Sequence, residues 1–149
     1  MISFESDYNN GMLPEILERL AETNDVKTSG YGSDVYCEEA KSRIRKAIDN
    51  DGADVFFLVG GTQTNTTVID SLLLGCEGVI ALEAGHIAVH ESCAVEAFGH
   101  KVITLEGENS KLRAADVARY MDTFLADETC GHMVQPGMVY ISLPTEYGM

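Results

Sequence analysis

The chain has 149 residues, 45% of them hydrophobic, enough for one domain of ordinary size with a real core and too many for disorder to be the default. Ten Lys and Arg face 24 Asp and Glu, a formal net charge of -14, which argues against nucleic acid as a partner because phosphate backbones are bound by clustered cations. No basic-then-apolar leader and no run of about eighteen apolar residues occurs, so neither a secretion signal nor a membrane span is expected, and the location is read as cytoplasmic.

Cys37, Cys76, Cys93 and Cys130 are scattered without a C-x-x-C pair, a pattern that suits reduced thiols better than a disulfide framework. There is no internal repeat, low-complexity tract or Pro/Gly-rich linker to divide the chain.

In chain order, Pro14 opens a helix over 13–23, in which Ile16, Leu17 and Leu20 recur at helical spacing beside Glu15, Glu18 and Glu22. A Gly-rich loop, Ser29 to Asp34, leads to a second amphipathic helix over 35–48, with Ser33 or Asp34 as its cap. Val55-Phe56-Phe57-Leu58-Val59 reads as a strand buried on both faces. It ends at Gly60-Gly61 and gives way to a helix over 62–74. Further strands are expected at 79–82, 102–105 and 138–142, with helices at 94–98 and 114–125 between them. Strands alternating with helices predict an α/β fold with a mainly parallel sheet flanked by helices. Residues 1–50 form an arm and helices, and 51–149 the sheet-bearing part.

Chemistry concentrates in two places. Two glycines followed by Thr62-Gln63-Thr64-Asn65 at a helix start make an anion site, because the first helix amides have no intrahelical acceptor and glycine admits close approach. The hydroxyls of Thr62 and Thr64 offer further donors. The same residues are also compatible with a plain strand-to-helix turn. The segment is neither a Walker loop nor a G-x-G-x-x-G fingerprint. Glu83-Ala84-Gly85-His86 follows the next strand, where open α/β sheets bind their ligands, so His86 is placed to stack on a flat ring or to move a proton. A lone loop histidine is otherwise an ordinary surface group. His86 and His90, with Cys93 close by, and the pair Cys130 and His132 lack zinc-like spacing, so no metal site is expected.

Read together and in order, Ser6-Asp7-Tyr8, Tyr31-Gly32-Ser33-Asp34, Val59-Gly60-Gly61-Thr62-Gln63-Thr64-Asn65, Glu83-Ala84-Gly85-His86-Ile87, Ala97-Phe98-Gly99-His100-Lys101-Val102 and Ser142-Leu143-Pro144-Thr145-Glu146 resemble the threonine aldolases. These belong to the β-eliminating lyase group of pyridoxal 5'-phosphate enzymes. The resemblance implies the large domain of the fold-type-I, aminotransferase-like architecture, incomplete at its C-terminus. It implies that Gly61, Thr62 and Gln63 bind the cofactor phosphate and that His86 stacks on its ring. Ser6 would help bind substrate, Tyr31 would reach a neighbouring subunit's site in a homo-oligomer, and His132 would be a second catalytic candidate. The reaction implied is cleavage of a β-hydroxy-α-amino acid to glycine and an aldehyde.

The family's cofactor-holding lysine and its pyridine-nitrogen carboxylate lie beyond the segment matching Glu146-Tyr147-Gly148. Lys27, Lys41, Lys46, Lys101 and Lys111 do not match that lysine's place in the order. The chain is therefore expected to resemble the N-terminal portion of such an enzyme and to be inactive alone. Alternatives are a non-catalytic subunit completed by a separate chain, or another enzyme of the same cofactor class, a β-eliminating lyase or an aminotransferase-like protein.

Overall fold

A computed structural model describes residues 10–147 of the chain. They divide into two compact units that meet in sequence between Phe57 and Leu58. The first holds two helices, α1 (Pro14–Thr23) and α2 (Val35–Ala47), neither of which buries a residue. Pro14 opens α1 where its missing N–H costs nothing. Asp34 caps α2, accepting from the backbone N–H groups of Tyr36 and Cys37 at 2.9 and 3.0 Å.

The second unit carries α3 (Gly61–Leu72), β1 (Glu77–Leu82), α4 (His86–Val89), α5 (Ala94–Ala97), β2 (Val102–Leu105), α6 (Ala114–Ala126) and β3 (Gln135–Val139). The three strands form one parallel sheet in the order β2-β1-β3. Central β1 is buried along its four middle residues, as expected of a parallel strand covered on both faces. Val79 and Ala81 pack on one face with Ile69 and Leu73 around α3, Ile87 of α4 and Val95 of α5. Ile80 and Ile103 are also buried, and alternation along the strand turns Ile80 to the opposite face from its neighbours. His100 locks the sheet's amino end to α3: Nδ1 lies 3.0 Å from the Glu77 carbonyl and Nε2 3.2 Å from Asp70 Oδ1.

Two expectations are corrected. The apolar run 55–59 is not a strand, and Phe56 and Val59 are 81% and 93% exposed. A strand needs a neighbour to satisfy its N–H and C=O groups, and among the described residues nothing pairs with this run. The last strand begins three residues earlier than expected. Its ladder starts where Gln135 N–H donates to the Cys76 carbonyl and ends at the Tyr140 N–H to Ile80 carbonyl bond. Its place at the sheet edge tolerates Pro136, which has no N–H to give. Among the described residues the four expected strands are accordingly three.

Candidate active site

The carboxyl ends of β1 and β3, the start of α3 and the start of α4 meet around an open cleft of about 680 Å³. Its walls include Gly61, Asn65, His86, Tyr140 and Ser142. This is where a parallel sheet offers a ligand site.

Helix α3 starts without a side-chain cap. Its first intrahelical bond runs from Thr64 N–H to the Gly60 carbonyl, leaving the amides of Gly61, Thr62 and Gln63 without helical acceptors. A Cβ added at Gly60 or Gly61 would meet nothing within 4 Å, so the backbone at the helix start is uncrowded. Gln63 Oε1 accepts from Val59 N–H at 3.0 Å and fixes the approach to the helix. The Thr64 hydroxyl donates to the Gly60 carbonyl at 2.9 Å, so its proton is spent inside the turn and is not offered to an anion. Thr62 is exposed.

His86 is the first residue of α4 rather than a loop residue. Its backbone N–H donates to Ser142 Oγ at 3.1 Å, tying α4 to the chain leaving β3. Its Nδ1 lies 2.7 Å from Glu91 Oε1, which also accepts from Asn65 Nδ2 at 2.6 Å. Asn65 Nδ2 lies 3.5 Å from Tyr140 Oη, so α3, α4 and the end of β3 share one polar network. The His90 ring centroid lies 5.6 Å from that of His86. Among the described residues no group of three or more His, Cys, Asp and Glu side chains is placed to hold a metal ion.

Of the expected residues, Gly61 and His86 line the cleft and Thr62 and Gln63 follow Gly61 in the first turn of α3, whereas His132 is not among its walls. His132 ends a short 3-10 turn just before β3, at the amino end of the sheet. In a parallel sheet that end is separated from the His86 end by the length of β1, roughly 16 Å for its rise per residue. Tyr31 lies in the first unit, fully exposed and at φ 65°. Ser6 lies outside the described residues.

Asn65, Glu91, Tyr140 and Ser142 were not singled out from the sequence. Asn65 was recoverable, since it stands four residues after Gly61 and so on the same helix face. Glu91 bonds across from the far end of α4, and only the fold shows that. A smaller, largely apolar cavity of about 230 Å³ adjoins the cleft and shares Ile141, Ser142, Leu143, Thr145 and Glu146 with it; Lys111 and Leu112 line this cavity and not the cleft.

No family model matches the chain. A low specificity L-threonine aldolase from a Pseudomonas species is 31% identical over 147 residues, and one from Pseudomonas aeruginosa is 30% identical over the same number. A solved threonine aldolase structure from Leishmania major superposes with a TM-score of 0.87 at 42% identity over 95% of this chain. The chain is homologous to threonine aldolases. It spans 41% of the length of these two Pseudomonas aldolases and 40% of the Leishmania chain. The α/β architecture, a parallel sheet flanked by helices, is that of the threonine aldolase structure over the shared part. The cleft's Gly61, Asn65 and His86 lie within two of the motifs that carry the likeness in the sequence, 59–65 and 83–87.

Proposed function

We propose that this chain forms the phosphate- and ring-binding part of a pyridoxal 5'-phosphate-dependent lyase that cleaves a β-hydroxy-α-amino acid, such as threonine, to glycine and an aldehyde. The observation that carries the reading is one cleft at the carboxyl end of the sheet walled by Gly61, at the uncapped start of α3, and by the hydrogen-bonded imidazole of His86. The homologous proteins are named as L-threonine aldolases, which supports the reaction class.

The residues present fit such a cofactor. A phosphate dianion suits the start of α3, where the amides of Gly61, Thr62 and Gln63 and the helix dipole favour negative charge, and glycine leaves the space open. His86 stands across the cleft where a flat ring would lie against it. When bound, the cofactor supplies an electron sink for the pair released on Cα–Cβ cleavage. The chain's own residues then hold and orient: the Ser142 hydroxyl fixes the start of α4 and with it the His86 ring. A proton must leave the β-hydroxyl as the aldehyde departs, and His86 is assigned to take it because it lines the cleft, which His132 does not. Ser6 and Tyr31 are assigned to substrate binding by resemblance, Tyr31 across a subunit boundary in a homo-oligomer.

The walls of the cleft include no lysine, and Lys111 lines only the adjoining cavity. This supports binding without turnover by these 149 residues alone. The test is a titration of the chain with pyridoxal phosphate and, separately, with pyridoxal, followed by difference absorption. Binding of the phosphorylated compound and at least tenfold weaker binding of the other is the expected result. Equal affinity for the two would remove the phosphate site and the reading with it.

A further inference from the structure

Glu91 is an unusual residue to find where it stands. Its side chain is completely buried, and carboxylates are seldom buried unless paired, because removal from water is costly. One oxygen does all the bonding: Oε1 receives His86 Nδ1 at 2.7 Å and Asn65 Nδ2 at 2.6 Å. Oε2 is equally buried and has no hydrogen-bond partner among the described residues. The His86 side chain is 41% exposed. The carboxylate therefore backs the histidine from the protein side, while part of the ring remains open to the cleft that His86 lines.

A neutral imidazole carries one N–H and one lone pair, and an ionised carboxylate can only accept. The 2.7 Å contact then requires the proton on Nδ1 and leaves the lone pair on Nε2. We propose that Glu91 is a positioning residue that holds His86 in the Nδ1–H tautomer, making Nε2 the ring's proton-accepting atom, and that Asn65 holds Glu91 in place from α3. The use of Nε2 to take the proton of a substrate β-hydroxyl rests on the function proposed above; the tautomer itself does not. A histidine with its orientation and tautomer fixed by a buried carboxylate is ready to accept a proton in one direction only.

The test is nitrogen NMR of the chain labelled in its histidines, recorded with the imidazoles neutral, with His90 as an internal comparison. In the unaltered chain His86 is expected to show protonated-type Nδ1 and lone-pair-type Nε2 signals. Glu91→Gln keeps an accepting oxygen and should keep that pattern. Glu91→Leu removes it, and the two signals should exchange character while those of His90 do not. An Nε2–H pattern for His86 in the unaltered chain overturns the proposal even if Glu91→Leu fails to fold, and so does an Nδ1–H pattern that survives Glu91→Leu. Failure of the cofactor titration together with an Nδ1–H signal would remove the proposed function and leave the positioning role standing.

Discussion

At the scale of single residues, the clearest electrostatic device outside the cleft is Asp34 at the start of α2. Its carboxyl is held below its ordinary value, first by a hydrogen bond from the Cys37 side chain and then by backbone amides of Cys37 and Tyr36. The Cys37 thiol is correspondingly pushed up, chiefly by the same bond and further by desolvation. Because the folded value of Asp34 lies below the unfolded one, the cap contributes fully above the ordinary carboxylate range and is lost as pH falls through the depressed value. Amide exchange at Tyr36 and Cys37 should therefore show the helix start fraying on acidification, and Asp34→Asn, a cap that does not titrate, should abolish the pH dependence. The same substitution should speed alkylation of Cys37 at mildly alkaline pH, since the thiol loses the partner that holds its proton. The Asp34 cap was one of two candidates visible in the sequence; the thiol contact was not.

At the scale of elements, helices and strands with their own periodicity were legible: α1, α2, α3, β1, β2 and α6 stand within a few residues of where hydrophobic spacing and caps place them. What spacing does not carry is pairing. The run 55–59 has the composition of a buried strand and lies exposed, because a ladder partner is a property of the sheet and not of the segment. The register of β3 likewise follows from the bulge opposite Gly78 and Val79 in β1. Gly78 itself is fixed by crowding: a Cβ there would lie 2.6 Å from the Lys101 carbonyl and 2.9 Å from Val134 Cγ1. Gly78→Ala should lower the stability of the sheet unit by about 1–3 kcal/mol, read as a fall in urea midpoint with an unchanged slope. Gly61→Asp makes the opposite kind of test. A carboxylate in the first turn favours α3 through its dipole but occupies and repels the phosphate position, so the helix should be at least as stable while affinity for pyridoxal phosphate falls about tenfold or more.

At the scale of the whole molecule, the ordered motifs carried more than any one of them, and the likeness to threonine aldolases in sequence and in fold agrees with them. Gly60-Gly61 were legible as a candidate anion site from their place at a helix start, and His86 from its place after β1, although the run before the glycines is not a strand. The buried carboxylate behind His86 was not, since Glu91, just past α4, bonds back to the first residue of that helix and across to Asn65 in α3. His132 was carried by resemblance alone, and the parallel register of β3 with β1 puts it at the wrong end of the sheet to share the cleft.

The most direct test is to add pyridoxal phosphate to the nitrogen-labelled chain and follow each backbone amide. The account predicts saturable shifts largest at Gly61, Thr62, Gln63 and His86, with His132 unmoved. Shifts centred elsewhere, or no saturable shift at those four amides, would contradict it.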